Sequence, residues 1–143
     1  MHPLRKLREA GPNTPSQVSE LLAENVVFHS PVFVRAVKGR KEVAAIFAAS
    51  PSVRQGAYTA EYRLDDHTTF LRWAGTIDGH EMESLEVIVD NDQGLIVERT
   101  LAYRPLPAVK LFRDAMYPTL KDVVPPDLWD YPASDSELGK AAS

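Results

Sequence analysis

Glu86 sits in the run Met82-Glu-Ser-Leu-Glu86-Val-Ile88, where alternate residues belong to one face of a strand. With Met82, Ser84, Glu86 and Ile88 turned inward, Glu86 is a carboxyl group on an otherwise apolar wall. Desolvation there raises a carboxyl toward the range of a useful general acid or base. Arg99 follows beyond the turn Asp90-Asn-Asp-Gln-Gly94, and a tight turn places it directly opposite Glu86 on the same inward face. An inward arginine pairs with that carboxylate, which argues against proton donation. Two readings therefore stand: Glu86 as a catalytic acid/base with Arg99 as its polarising partner, or a structural ion pair.

The same alternation supplies the surroundings of the pair. The inward sets are Leu71, Trp73, Gly75 and Ile77; Val97, Arg99, Leu101 and Tyr103; and Tyr58, Ala60, Tyr62 and Leu64. A short first strand adds Phe28 and Ser30, with His29 pointing the other way as a structural or surface histidine. The result is an apolar, aromatic-rich cavity with a few polar groups, the usual make-up of a small-molecule site. Phe28, Ser30, Tyr58, Tyr62, Trp73, Met82, Ser84, Leu101 and Tyr103 are its candidate substrate-binding residues.

Other chemistries find no footing. Without cysteine there is no disulfide, thiolate metal site or thiol nucleophile, and a cytoplasmic setting is the expectation. The 4 histidines show no metal-ligand spacing, and no phosphate loop, nucleophile elbow or dinucleotide fingerprint is present, so no cofactor is expected. Asp90-Asn-Asp-Gln-Gly94 has the outline of a calcium loop, but its glycine comes one residue early and Leu101 replaces the bidentate acid. A formal charge of −4 gives no reason to expect nucleic acid. Arg5-Lys6-Leu7-Arg8 reads as a solvated helix face. No apolar run suits a signal peptide or a membrane span.

The elements that must position these residues follow from periodicity. A short basic turn or helix around Leu4 and Leu7 halts at Gly11-Pro12. Thr14-Pro15 opens a helix predicted over Pro15 to Ala23, which Glu24-Asn25 breaks. Val26 to Ser30 is a short strand ending at Pro31. Arg40 to Ala49 is a second helix. Strands are then predicted over Tyr58 to Leu64, Thr68 to Ile77, His80 to Val89 and Leu95 to Arg104. Asp78-Gly79 is the clearest hairpin turn among them. Pro107 to Lys121 is helical through Val109, Phe112 and Met116, with Pro118 expected to break or kink it. Residues 1–124 form one domain on this reading, and 125–143 an extended tail with Trp129 and Tyr131 as anchors. Helices followed by a meander make an α+β fold, a curved antiparallel sheet wrapped around the N-terminal helices with a cone-shaped apolar pocket.

Leu21-Leu-Ala-Glu-Asn-Val-Val-Phe-His-Ser-Pro-Val32 resembles a phrase of the nuclear transport factor 2-like, SnoaL-like proteins, in which a helix runs into a V-x-F-x-S-P strand. Gly39-Arg-Lys-Glu-Val43 resembles their G-R-E-x-V helix entry, and the turns at Asp78-Gly79 and Asp92-Gln-Gly94, then Tyr103-Arg-Pro105, fall where theirs do. The resemblance covers roughly Pro15 to Met116 and rests on the order of four weak motifs. It implies relationship to ketosteroid isomerase, limonene epoxide hydrolase and polyketide cyclases, and to members that only bind or assemble, so fold does not decide function. By this resemblance Glu86 falls where ketosteroid isomerase holds its protonated, oxyanion-binding aspartic acid. Ser30 falls where the isomerase has its aspartate base, a role serine does not fill. The epoxide hydrolase pattern is not matched, because Leu101 replaces its last-strand aspartate and only Arg72 represents the middle-strand charged pair.

Two functions follow. One is a cofactor-independent isomerase, dehydratase, cyclase or hydrolase acting on a hydrophobic cyclic substrate, with Glu86 as acid/base and Arg99, Tyr62 or Tyr103 polarising it. The other is a non-catalytic protein that binds an apolar ligand or associates through its sheet. Outward Leu85, Val87 and Val89 form an apolar ridge that favours a homodimer.

Overall fold

Asp78 and Gly79 both adopt positive φ, 48° and 76°, so the hairpin between β4 (Thr68–Ile77) and β5 (His80–Asp90) turns in two residues. Its ladder runs without irregularity from Ile77 opposite His80 to Thr68 opposite Val89. The next turn spans 91–95. There the Asn91 side chain accepts from the Gln93 and Leu95 amides, both at 3.0 Å, and delivers the chain into β6 (Ile96–Arg104). With β3 (Gln55–Arg63) these strands form the expected antiparallel meander. The structure, a computed structural model, describes residues 1–129 and 131.

The sheet has six strands in the order β2-β1-β6-β5-β4-β3, and it does not close into a barrel. It is mixed rather than wholly antiparallel, because β1 (Leu22–His29) lies parallel to β6. β1 also starts earlier than its apolar run suggests. The helix α2 (Pro15–Ser19), capped reciprocally by Thr14 and Gln17, ends four residues short of Ala23. Leu22 pairs with Ile96, and both are buried, so strand pairing takes over a segment whose local pattern reads as helix. Exposed Glu24 and Asn25 then mark the irregularity between Leu22 and Val27. β2 (Val37–Lys38) adds a short edge strand.

Against the concave face pack α3 (Arg40–Ala49) and α4 (Leu106–Leu120). Phe47 meets Phe28 edge to face at 4.8 Å, and Phe112 meets Tyr103 likewise at 5.0 Å. Pro118 does not break α4. Met116 on one side of it and Leu120 on the other are both buried, and this shared anchoring carries the helix past the lost hydrogen bond. Beyond α4, Trp129 forms an isolated bridge with Phe33, and its ring meets Phe33 at 4.9 Å and Tyr117 at 5.1 Å. Most of the segment expected as an extended tail, 132–143, lies outside the described residues. No described helix is long and apolar enough to cross a membrane.

Two local features of β3 and β4 shape the site. The first is a bulge at Thr59, after which strict alternation fails. Tyr58 still faces inward beside Trp73, but Tyr62 is turned to the outer face, 61% exposed and stacked on Phe70. Tyr62 and Leu64 therefore do not line the interior as simple alternation predicts. Glu61 takes the inward place and receives the His2 amide at 2.9 Å and the Arg5 guanidinium at 3.4 Å, which ties α1 (Pro3–Glu9) across the end of the sheet. The second feature is the facing pair Gly56 and Gly75, over which the Trp73 indole lies. A β-carbon on Gly75 would stand 2.0 Å from the Gln55 carbonyl oxygen and 2.6 Å from the indole.

Gly75→Ala should therefore destabilise the fold by about 1–3 kcal/mol, the usual cost of overpacking. Urea unfolding followed by tryptophan fluorescence measures this, and a midpoint equal to the parent's would contradict the glycine platform.

Candidate functional site

Arg99 and Glu86 are the centre of the concave face, 1% and 2% exposed. Arg99 Nε donates to Glu86 Oε2 at 2.5 Å, and Nη2 contacts the same oxygen. Both side chains point inward as expected, but they are not directly opposed. Glu86 faces Leu101 and Arg99 faces Ile88, so the ion pair runs diagonally across the ladder. A shift of two residues preserves facing, which is why the inward set survives the error in register. The guanidinium lies 4.4 Å from the Phe47 ring centroid and 5.7 Å from that of Phe28. Burial alone would lower the Arg99 pKa; the Glu86 charge, helped by Tyr58 and Tyr103, outweighs it and raises the value.

Little free space adjoins this pair. A void of about 10 Å³ is bounded by Phe28, Ser30, Arg99, Leu101, Tyr103 and Phe112. That is room for about one water molecule. Ser30 Oγ is engaged locally, accepting from the Val32 amide at 3.2 Å. Met82 and Ser84 are buried among the strands and line neither this void nor the larger cleft described next.

The roomy concavity lies at the open end of the sheet, where α1 crosses β3 and β4. It measures about 770 Å³, and its wall includes Arg8, Asn13, Ser52, Arg54, Tyr58 and Trp73. Of the candidate substrate-binding residues, Tyr58 and Trp73 come together here; Phe28, Ser30, Leu101 and Tyr103 bound the inner void; Tyr62 is outside both.

Two arginines that sequence reasoning missed separate the cleft from the void. Arg54, 8% exposed, follows the 3₁₀ turn Ser50–Ser52, and its guanidinium stands 4.2 Å from the Trp73 ring, 5.4 Å from Tyr103 and 5.6 Å from Phe112. It forms no ion pair among the described residues, and its Nη1 has no hydrogen-bond partner. Arg8 reaches inward from α1 rather than into solvent: Nη1 donates to Ser50 Oγ at 3.1 Å and Nη2 to the Phe47 carbonyl at 3.0 Å, leaving Nε unpartnered. Burial pulls its pKa down to about 10, and the nearby Arg99 and Arg54 charges act in the same direction, against Tyr58 and Glu86. It remains a cation at neutral pH. Burial also raises the Tyr58 pKa, so this phenol keeps its proton, and its oxygen is unpartnered too. No periodicity singles out Arg54, and Arg8 was hidden in a basic run that reads as a surface.

No family model matches the chain, and no curated protein does. Solved structures do. A protein from Silicibacter pomeroyi, described as uncharacterized and of cystatin-like fold, aligns with 98% of this chain and 92% of its own at 24% identity and a TM-score of 0.76. A steroid delta-isomerase from Pseudomonas aeruginosa aligns over 76% and 80% at 23% identity and a TM-score of 0.70. A protein of the SnoaL-like family from Agrobacterium tumefaciens aligns over 71% and 95% at 16% identity and a TM-score of 0.55. The chain has the nuclear transport factor 2-like, SnoaL-like fold that the sequence resemblance implied.

Glu86→Gln should destabilise the protein by about 3–5 kcal/mol, because Arg99 is left as a buried, uncompensated charge. The double replacement Glu86→Leu with Arg99→Met should recover most of that loss in the same urea titration. A single variant as stable as the parent would mean that the pair contributes nothing to folding.

Proposed function

We propose that this protein binds a ring-bearing small molecule in the cleft between α1 and the β3–β4 edge. One observation carries the reading: a concavity of about 770 Å³ is floored by Trp73 and walled by Arg8, Arg54 and Tyr58, each of which carries an unpartnered polar group. An apolar floor with a few convergent polar groups is how ligand sites are built. Glu86, the strongest candidate acid/base from sequence, is buried against Arg99 and lines neither the cleft nor the inner void, so the binding reading stands ahead of acid/base catalysis at Glu86.

A catalytic form of the same proposal is supported by the isomerase-type proteins that share the fold. In it, Tyr58 and Arg54 would polarise a carbonyl group of the bound ring compound, as hydrogen-bond donors aimed at developing negative charge do. Both forms use one cleft and require no cofactor.

We also propose that the chain pairs with a second copy through the outer face of the sheet. Leu85 and Val87 are exposed there, and Tyr62 and Phe70 continue the same apolar stripe across neighbouring strands. Such a patch suits the centre of a homodimer interface.

The neutral fluorophore N-phenyl-1-naphthylamine should bind at one site per chain. Ser52→Trp, which adds bulk at an exposed position on the cleft wall, should weaken it at least about tenfold, equivalent to about 1.4 kcal/mol. Glu86→Gln, studied under conditions where it stays folded, should leave that affinity largely intact. Binding that ignores Ser52→Trp but fails in Glu86→Gln would move the site to the interior. For the dimer, sedimentation at micromolar concentration should give twice the 15.9 kDa chain mass; a monomer throughout would refute it.

A further inference from the structure

Arg8, Arg54 and Tyr58 line the cleft, and Arg54 Nη1, Arg8 Nε and the Tyr58 hydroxyl are almost fully buried with no hydrogen-bond partner among the described residues. Two of these groups belong to cations, and buried charged donors left without an acceptor are costly. The neighbouring carboxylates are committed elsewhere: Glu9 to Arg5 at 2.8 Å, Glu61 to the His2 amide and Arg5, and Glu86 to Arg99. The inner wall therefore carries positive charge with donors to spare, while Pro12, Pro51, Ala48 and Trp73 offer apolar surface toward the opening. Arg54 is held in place by its three aromatic neighbours rather than by a counter-ion, so its charge is fixed in position and uncompensated.

We propose that the ligand of this cleft is an organic monoacid, whose carboxylate accepts hydrogen bonds from Arg54, Arg8 and Tyr58 and whose ring lies against Trp73. This rests on the cleft being a binding site, and adds the charge of what it binds. The number of donors favours a carboxylate over a phosphate. Arg8 Nη1 and Nη2 already donate to Ser50 and Phe47, so Nε is its one buried nitrogen without a partner. The unpartnered atoms carry four donor hydrogens, two on Arg54 Nη1 and one each on Arg8 Nε and Tyr58, which match the roughly four lone-pair sites of a carboxylate, whereas a phosphate brings a third oxygen and a second charge.

Calorimetric titration of the full chain with benzoate, 2-naphthoate and indole-3-acetate, each against its neutral amide, tests this directly. At least one acid should bind more than about tenfold tighter than its amide, since hydrogen bonds to a charged group are stronger than neutral ones. Arg54→Met, which keeps length and apolar contact with Trp73, should reduce the acid-over-amide preference to about twofold or less. Tyr58→Phe, which removes a single unpartnered hydroxyl and leaves the ring, should weaken the acid by about threefold to tenfold and the amide by less, because the hydrogen bond to a charged acceptor is the stronger one. 2-Naphthyl phosphate binding tighter than 2-naphthoate would overturn the monoacid assignment. Amides that bind as well as acids would overturn the requirement for charge while leaving the cleft as a binding site. Failure of the acids, the amides and N-phenyl-1-naphthylamine alike to bind below about 1 mM would overturn both.

Discussion

A guanidinium at the centre of a sheet's concave face must be neutralised where it stands, because water cannot reach it. Arg99 meets that constraint with Glu86 from the neighbouring strand and with the faces of Phe28 and Phe47. The rest of the interior is arranged accordingly. α3 supplies Phe47, β1 supplies Phe28, and α4 closes the remaining side with Phe112 and Met116. A pair of ions held this way specifies one arrangement of its neighbours more than it adds net stability, since the desolvation of both charges offsets much of their attraction.

Filling the interior displaces the available space to the open end of the sheet. There the geometry depends on a chain of small causes. The bulge at Thr59 turns Glu61 inward, Glu61 holds the start of α1, and α1 carries Arg8 over the end of the sheet toward Ser50 and Phe47. The bare backbone of Gly56 and Gly75 lets the Trp73 indole lie flat, and the indole in turn supports Arg54. Each step is local and weak alone, yet together they collect two cations, a phenol and an indole around one cleft.

The fold is shared with proteins whose descriptions range from steroid delta-isomerase to uncharacterized. Identity of 24% or less to these structures carries the scaffold and no more. In this chain a neutralised ion pair stands where the sequence resemblance places a proton donor, and the buried guanidinium groups of Arg8 and Arg54 stand at the inner end of the cleft.

Strand periodicity, the Asp78-Gly79 turn and the helix over Arg40–Ala49 were legible in the sequence, because each depends on residues adjacent in the chain. The inward facing of Glu86, Arg99, Trp73 and Tyr58 was legible for the same reason, since alternation by two survives a register shift of two. Tertiary structure alone decided the rest. Only a distant strand, β6, could draw Leu22 out of a helical pattern into a parallel pairing. The bulge that exposes Tyr62 leaves no mark in the composition of β3. Arg8 and Arg54 lie 46 positions apart and belong to no motif. Their common role arises because α1 and the turn after α3 meet at one edge of the sheet, and a contact between remote segments has no period for a sequence to display.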